Sequence, residues 1–403
     1  MASDTTALRR ALNVPLLTLY GLGVTVGAGI YVLVGATAAE AGIFAPVSFA
    51  IAAMVVAFTA FSYAELSTRY PVSAGEAAYV EAGFSSGALA TVVGLAVVLS
   101  GLVSASAVSL GAASYLHDLV GASISVLTVA VVVAMGLIAL WGITQSVTVA
   151  AVITVIEVSG LMFVMVWGFG FAEPSGVALS DIVPPITGPH WAGIGAASLL
   201  AFFAFVGFED MANVAEEVKD PLHTMPRAIV WTLVLATVLY MGTTTAVLFA
   251  VPLDVLSASA APLALVFSNA PIMVQQVFGV IAIVATVNGV LIQMIMASRV
   301  LYGLADRGHL PSALAHVSTR TKTPDMATLA VVVVILLLAL TFPINALAER
   351  TSQIVLFVFV LVNAALIRLK LRGPSQERHF HVPFVVPVLG VATSVLLFAT
   401  AFL

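Results

Sequence analysis

Apolar stretches of about 20 residues recur from one end of the chain to the other, and they constrain its fold more than any other feature. Each stretch is long enough, as an α-helix, to cross the ~30 Å hydrocarbon core of a bilayer. A helix also satisfies its own backbone hydrogen bonds, which a segment in lipid must do. Only 8% of the 403 residues are charged, against about 25% in soluble domains. The sequence therefore predicts an all-α polytopic membrane protein.

The pattern predicts eleven spans joined by short connections and leaves no room for a soluble domain. We expect one transmembrane domain, with a first repeat over about 13–171, a second repeat over about 191–369 and an extra helix over about 383–403. The predicted spans are 13–39, 45–63, 86–116, 123–141, 147–171, 191–215, 226–251, 271–304, 326–343, 351–369 and 383–403.

The positive charges predict how the chain is oriented. If the N-terminus is cytoplasmic, all of the 14 lysine and arginine residues except Arg350 fall at the inner face. This bias is what the positive-inside rule expects. We therefore predict a multi-pass protein of the cell (plasma) membrane, with a cytoplasmic N-terminus and the C-terminus outside. The net charge of −5 gives no indication of a nucleic-acid partner.

The residues that support enzymatic or metal chemistry are missing from the sequence pattern. There is no cysteine, so thiol catalysis, disulfides and cysteine metal ligands are excluded. The predicted spans contain no Ser/His pair, HExxH or paired-Asp motif, and the seven histidines have no metal-ligand spacing. We predict neither an enzyme nor a bound metal or organic cofactor.

Two spans carry residues that interrupt a helix. The first span has four glycines within nine residues, 21–29, and glycine disfavours a continuous helix. In the sixth span Gly207 is followed closely by Glu209 and Asp210. Irregular backbone at membrane depth is tolerated where protein covers it or where it lines a cavity. Because the two interruptions hold the same place in two five-span halves, they predict an inverted repeat with a central site. For the glycines of the first span, close helix packing is the alternative.

An interrupted helix exposes backbone groups that can bind a ligand. The N–H groups of Ala28, Gly29 and Ile30 would begin a half-helix with a partial positive charge, which suits a carboxylate. Carbonyl groups near 24–26 and 203–206 would suit an ammonium group. One molecule that carries both groups is an α-amino acid, so the pattern predicts an amino-acid site.

Aromatic side chains beside the sixth-span interruption are candidates for closing this site. Phe205 and Phe208 flank Gly207, and either ring could cover a bound substrate. The alternative is that both rings pack against neighbouring helices.

A carboxyl group deep in the fifth span is the candidate for ion coupling. Glu157 lies about eleven residues into that span, which at ~1.5 Å per residue is ~16 Å from its start. A charge there is unfavourable unless it is paired or protonated, so Glu157 is expected to bind and release a proton. The alternative is a neutral structural glutamate that is hydrogen-bonded to a neighbouring helix.

Other polar residues in the sixth and eighth spans are candidates for the substrate pathway. Glu209 and Asp210 either line that pathway or hold the unwound backbone through hydrogen bonds. Asn288, with Thr286 and Gln293, either faces the pore or joins helices by polar contacts.

Four fragments of the sequence occur in an order that identifies a family. Together they resemble the amino acid–polyamine–organocation (APC) transporters, and most closely their cationic-amino-acid-transporter-like bacterial and archaeal branch. The resemblance covers nearly the whole chain. The fragments are residues 21–30, 63–79, 202–221 and 298–311.

This resemblance implies the leucine-transporter-like fold, with two inverted five-helix repeats, discontinuous helices 1 and 6, and alternating access. It also implies that spans one and six hold the substrate and move against spans three, four, eight and nine. The residues that it implies in substrate binding are Thr25, Val26, Ala28, Gly29, Phe203, Ala204 and Val206, together with Gly27 in the same glycine-rich loop.

Two departures from the family pattern limit what the resemblance implies. Members usually have twelve or more spans, whereas eleven are predicted here. Some proton-coupled members have a lysine where Glu157 stands, and a carboxylate could attract sodium instead. We predict a secondary amino-acid transporter driven by protons. Sodium coupling, exchange of amino acids or polyamines, and a non-transporting amino-acid sensor are the alternatives. The sequence leaves the transported amino acid and the oligomeric state open.

Overall fold

The computed structural model of the chain is built almost entirely from helices. Its only bridge between extended residues, within the described ranges, joins Leu12 to Val218. Among the residues named above, Gly27 and Ala28 lie outside the described set. The structure describes residues 10, 12–26, 29–72, 75–141, 147–306, 308, 310–319, 321, 323–373 and 378–400.

Two of the spans consist of two parts. Span 1 is described as helix 1a (Val14–Val26) and helix 1b (Gly29–Ala41). Span 6 consists of helix 6a (His190–Phe203) and the 3₁₀ segment 6b (Phe208–Glu217). The continuous spans are helix 2 (Ala45–Arg69), helix 3 (Gly87–Val120), helix 4 (Ile124–Trp141), helix 5 (Val147–Gly170), helix 7 (Pro221–Ala250), helix 8 (Ile272–Asp306), helix 9 (Asp325–Thr341), helix 10 (Ile344–Leu371) and helix 11 (Val385–Thr400).

These elements give eleven apolar spans within the described ranges, as the sequence predicted. By length and composition, eight helical segments are suited to crossing a membrane, and one of them, Gly29–Arg69, contains both helix 1b and helix 2. The three shorter apolar helices are helix 1a, helix 9 and helix 11. A further short helix, Gly75–Phe84, links helix 2 to helix 3. The division into repeats at residues 171 and 191 stays a prediction.

Most described basic residues lie at one end of the helix bundle. Connections as short as 121–123 make neighbouring helices antiparallel, so the even-numbered spans finish where the odd-numbered spans begin. Arg69 and Lys370 meet there around Glu65. We call this the basic end. Arg350, near the start of helix 10, lies at the opposite end.

Buried polar side chains join the helices where lipid offers no hydrogen bonds. Asn363 of helix 10 accepts a hydrogen bond from Ser62 at 2.6 Å and donates one to Thr59 at 2.9 Å, both on helix 2. Ser352 of helix 10 donates to the carbonyl oxygen of Leu199 on helix 6a. Interhelical hydrogen bonds of this kind stabilise a membrane bundle by about 0.6 kcal/mol each.

Two of the first-span glycines pack closely instead of interrupting the helix. Gly21 and Gly23 lie inside helix 1a. A Cβ on Gly21 would lie 2.6 Å from Oγ1 of Thr232 on helix 7, and one on Gly23 would overlap Oγ1 of Thr154 on helix 5. Gly21 and Gly23 therefore follow the packing alternative, because they allow helices 5 and 7 to approach helix 1a.

Candidate substrate-binding site

The start of helix 1b lies directly against the end of helix 6a. Gly29 is the first described residue of helix 1b, and a Cβ on it would overlap the Cα of Ala204. Any larger residue would push the two spans apart. The close approach therefore depends on glycine at this position and brings the centres of spans 1 and 6 together.

The polypeptide of span 6 unwinds after Phe203. Residues 204–207 form turns, and Gly207 has a φ of +119°, which residues with a side chain rarely adopt. Its N–H donates a hydrogen bond to Oε2 of Glu209 at 2.9 Å. One predicted alternative for Glu209, a hydrogen bond to the unwound backbone, is thus present in the structure.

Tyr240 of helix 7 connects the two spans at their centre. Its hydroxyl oxygen lies 2.8 Å from the carbonyl oxygen of Thr25 and 2.7 Å from that of Ala204. A tyrosine has one hydroxyl proton, so the two carbonyls share or alternate as its acceptor. Sequence reasoning missed Tyr240, because a hydroxyl group in an apolar span gives no signal of what it contacts.

A small cavity lies between the centres of spans 1 and 6. Its volume is about 20 Å³, which is enough for about one water molecule and too small for an amino acid. Substrate entry therefore requires the spans to separate. We call it the central cavity, and its lining includes Val24, Thr25, Gly29, Phe203 and Val206 from spans 1 and 6, Ser104 and Val108 from helix 3, and Gly289, Ile292 and Gln293 from helix 8.

Two polar atoms from residues that line the central cavity have no hydrogen-bond partner within the described part of the chain. They are Oγ1 of Thr25 and Oε1 of Gln293, and both are buried. Buried polar atoms are nearly always paired, so each can receive a polar group of a ligand. Sequence reasoning had named both residues, Gln293 with polar helix packing as its alternative.

The other predicted binding residues that the structure describes are not among those that line the central cavity. Val26 is fully buried, and Ala204 contacts Gly29. The ring of Phe205 packs against Tyr240, with ring centroids 4.9 Å apart. Phe208 packs against Tyr63 and Phe359 instead. The roles of Val26, Ala204, Phe205 and Phe208 in binding stay predictions.

Glu157 is held between three spans. Its side chain is fully buried on helix 5. Oε1 accepts a hydrogen bond from Nδ2 of Asn288 on helix 8 at 3.1 Å, and its backbone carbonyl accepts one from the hydroxyl of Tyr31 on helix 1b at 2.6 Å. Oε2 is buried with no hydrogen-bond partner among the described residues. Asn288 adjoins Gly289, which lines the central cavity. A change in the protonation of Glu157 can therefore affect the cavity through Asn288.

A second small cavity continues from the central one towards the basic end. Val206 and Gln293 line both cavities, and three acids, Glu76, Glu209 and Asp210, line the second. Its volume is about 10 Å³. Glu209 and Asp210, for which a place on the substrate pathway was one of two predictions, therefore lie between the central cavity and the basic end.

Glu76 belongs to this acidic cluster although sequence reasoning gave it no function. It lies in the short helix Gly75–Phe84, outside the spans, and accepts a hydrogen bond from the hydroxyl of Tyr63 at 3.2 Å. Burial raises the pKa of Glu76 to about 7. The sequence signal for Glu76 was its position in the family-like fragment 63–79. That position does not show which residues Glu76 contacts.

Comparison with known protein sequences finds relatives that are named as permeases and transporters. The chain is 29% identical to the branched-chain amino acid permease BcaP of Bacillus subtilis (strain 168), over 97% of this chain and 88% of that protein. It is also 29% identical to the vacuolar cationic amino acid transporter 2 of Arabidopsis thaliana over 92% of this chain, and it spans 61% of that relative's length.

Solved structures show the same fold. A crystal structure of a mutant manganese transporter of Eremococcus coleocola superposes with a TM-score of 0.66 at 15% sequence identity, covering 99% of this chain and 89% of that one. At this identity the likeness establishes the fold alone. The predicted leucine-transporter-like fold is confirmed.

The family follows from a match over nearly the whole length. Residues 12–403 match the amino acid permease family, which confirms the resemblance to APC transporters. The prediction that the protein is a multi-span membrane transporter and not an enzyme is confirmed as well, because its relatives are permeases and transporters. The chain therefore belongs to the amino acid permease family.

Proposed function

We propose that the protein is a secondary active transporter that carries amino acids across the cell membrane by alternating access, driven by protons. The observation that carries the proposal is the central cavity between spans 1 and 6, where Thr25 Oγ1 and Gln293 Oε1 are buried and have no hydrogen-bond partner among the described residues. BcaP and cationic amino acid transporter 2, which are named for amino-acid transport, support the substrate class.

The substrate's charged groups are recognised by backbone and neutral side chains. Helix 1b begins at Gly29, and the N-terminus of a helix attracts a carboxylate. Oγ1 of Thr25 and Oε1 of Gln293 accept hydrogen bonds from the ammonium group. On the far wall Val108 and Ile292 are apolar, which favours an aliphatic side chain in the substrate.

Proton coupling operates at Glu157. When its carboxyl group is neutral, Oε1 keeps the hydrogen bond from Asn288 and the group is tolerated in its apolar surroundings. When the proton leaves, the charge on the unpartnered Oε2 becomes unfavourable. Movement of helices 1b, 5 and 8 relieves it, and in this way proton release is coupled to opening. When the substrate enters together with a proton, Glu157 is protonated again and the site returns to its starting state.

Release occurs at the basic end, which we propose faces the cytoplasm. Glu209, Asp210 and Glu76 line the way from the central cavity towards that end. Their carboxylates attract the substrate's ammonium group as its carboxylate leaves helix 1b. The acids would also attract a substrate with a cationic side chain. Arginine is therefore the substrate to compare with leucine.

Uptake into proteoliposomes tests the coupling. We expect wild-type protein to accumulate labelled leucine when an inward proton gradient is imposed. Glu157→Gln should still exchange leucine in preloaded vesicles but lose accumulation, because an amide cannot carry the proton. Glu40→Gln, which removes an exposed carboxyl group from helix 1b, is the matched control and should behave as wild type.

Other outcomes of the uptake experiment would identify one of the alternative functions. Accumulation that follows a sodium gradient alone would make the protein a sodium-coupled carrier. Exchange without accumulation under either gradient would make it an exchanger and return Glu157 to a structural role. Binding of amino acids without any flux would identify a sensor. Faster uptake of arginine than of leucine would contradict an aliphatic side-chain preference.

The substrate site has its own test in Thr25→Val. Valine keeps the size of threonine and removes the hydroxyl oxygen. Since a hydrogen bond to a charged group contributes about 1.5–3 kcal/mol, we expect the KM for leucine to rise about tenfold or more. Thr18→Val is the control, because Thr18 is buried on the same helix away from the central cavity. Equal KM values for the two variants would show that Thr25 does not bind the substrate.

A further inference from the structure

A third cavity lies at the basic end, apart from the transport path. It has a volume of about 450 Å³ and is bounded by the ends of helices 2 and 10 and by the segment that leads into helix 11. None of its lining residues lines either of the two smaller cavities. The residues that matter for its chemistry are Glu65, Arg69, Lys370, His379, His381 and Phe384.

A fully buried carboxylate lies in the wall of this cavity, and cations surround it. Oε2 of Glu65 lies 2.6 Å from Nζ of Lys370 and accepts a hydrogen bond from the N–H of Val382 at 2.8 Å. Oε1 lies 3.4 Å from Nη1 of Arg69. Among the described lining residues two cations, Lys370 and Arg69, therefore face one anion, and the charge of this set is positive.

The cationic groups are held in place before any ligand arrives. The side chains of Lys370 and Arg69 are only 7% and 8% exposed. Lys370 also donates a hydrogen bond to the carbonyl oxygen of Val382 at 2.7 Å. The ring of His381 has Nε2 3.4 Å from Nζ of Lys370, and His379 Nε2 lies 3.7 Å from Oε1 of Glu65. A fixed set of charges loses little side-chain entropy when it binds an anion. The three N–H groups of Lys370 already face Glu65, Val382 and His381, so Lys370 contributes its charge and not a hydrogen bond.

We propose that this cavity binds a phosphate group carried by an anionic phospholipid or by a soluble phosphate ester. Arginine and lysine are the residues that bind phosphate most strongly. Basic pockets between helices at the cytoplasmic side of membrane proteins are also suited to anionic headgroups. The imidazoles of His379 and His381 supply further hydrogen-bond donors.

The shape of the cavity supports the same ligand. Phe384, which precedes helix 11 and is 46% exposed, borders it, so a charged wall faces an apolar edge. A phosphate group binds the charged wall while the glycerol portion of its ester contacts the ring. The bound ligand joins helix 2 to helix 10 and to residues 379–384, and therefore stabilises the folded protein.

Binding to the purified full chain in a neutral detergent tests the proposal. The probes are short-chain phosphatidylglycerol, short-chain phosphatidylcholine, glycerol phosphate and inorganic phosphate, and the readouts are the dissociation constant and the Tm. We expect phosphatidylglycerol to bind and to raise the Tm more than phosphatidylcholine. Binding by phosphatidylglycerol alone assigns the phosphate to a lipid, whereas equal binding by glycerol phosphate or inorganic phosphate assigns it to a soluble ligand.

Variants establish where the probe binds. Arg69→Gln should weaken binding about tenfold, since it removes one charge-assisted contact. Arg227→Gln removes the same charge from an exposed position of helix 7 near the basic end and should bind as wild type. Phe384→Glu adds a negative charge at the edge and leaves the Glu65 ion pairs intact, so it tests the site even if Arg69→Gln does not fold.

Three results would overturn the proposal. One is that no phosphate-bearing probe binds the wild-type protein. Another is that phosphatidylcholine stabilises it as much as phosphatidylglycerol does, because the wall charge would then play no part. The third is that the folded variants Arg69→Gln or Phe384→Glu bind phosphatidylglycerol with the wild-type dissociation constant.

Discussion

Spans 1 and 6 meet at the centre of the molecule through two glycines that are required for different reasons. Gly29 is helical, and it is needed because a Cβ would overlap the backbone of Ala204. Gly207 is needed for its own conformation, since its φ is +119°. One glycine permits a close approach and the other permits a turn. Glycines at membrane depth can therefore be required either for close packing or for a special backbone conformation.

The two spans also differ in how their polar groups are satisfied. In span 6, Glu209 accepts the N–H of Gly207, so a side chain replaces part of the lost helical hydrogen bonding. Beside span 1 no charged side chain lines the central cavity within the described residues, and Thr25 Oγ1 is unpaired there. We infer that span 1 offers its groups to the substrate, while span 6 uses an acid to hold its turn and line the exit.

The largest effect on transport is expected from Gly207→Ala. A side chain at this φ is strained by about 1–3 kcal/mol, and the new Cβ would lie 2.7 Å from the carbonyl oxygen of Val24. We expect uptake in proteoliposomes to be lost. Gly195→Ala in helix 6a should transport normally, because among the described residues the added Cβ would meet only Cγ2 of Thr400, at 3.8 Å. Wild-type uptake by Gly207→Ala would show that the turn of span 6 does not require this backbone conformation.

A smaller effect is expected from Tyr240→Phe, which removes the hydroxyl that joins Thr25 to Ala204. The ring contact with Phe205 remains, but one buried carbonyl loses its donor, at about 1–3 kcal/mol. We expect a lower Tm and about tenfold slower uptake. The half-buried Tyr302 of helix 8 provides the control Tyr302→Phe. If both variants transport alike, the two spans are coupled by packing alone.

An effect on stability that depends on pH is expected from Glu76→Gln in the acidic cluster. Because the pKa of Glu76 is raised to about 7 in the folded protein, the folded state binds its proton more tightly than the unfolded state does. The wild type therefore loses stability as the pH rises from about 4.5 to 7, by about 3 kcal/mol in all. Glutamine avoids this loss and still accepts the hydrogen bond from Tyr63.

Thermal unfolding at two pH values measures the effect. Glu76→Gln should raise the Tm relative to wild type at pH 8 and change it little at pH 4.5. Glu81→Gln removes an exposed carboxyl group from the same short helix and should have no such pH dependence. A stabilisation by Glu76→Gln that is equal at both pH values would contradict burial of an ionised carboxylate as its cause.

Sequence reasoning was accurate where a property is local to a span. The eleven apolar runs became eleven spans because lipid selects segments by their own length and hydropathy. The interruption of span 6 followed from Gly207 and the acids beside it. In span 1 the sequence predicted a half-helix that ends near 24–26, and helix 1a is described to Val26. The packing of Gly21 and Gly23 against Thr232 and Thr154 was left open, because the sequence does not show what a glycine will face.

The membrane class, the spans, the unwound centre of span 6 and the burial of Glu157 could therefore be predicted from the sequence alone. The folded protein was needed to see which groups meet: Glu157 with Asn288, 131 residues apart, and Glu65 with Lys370, 305 residues apart. Hydropathy is a property of one segment in lipid. Which helix faces which is decided instead by packing and hydrogen bonds between helices, and no single segment encodes those.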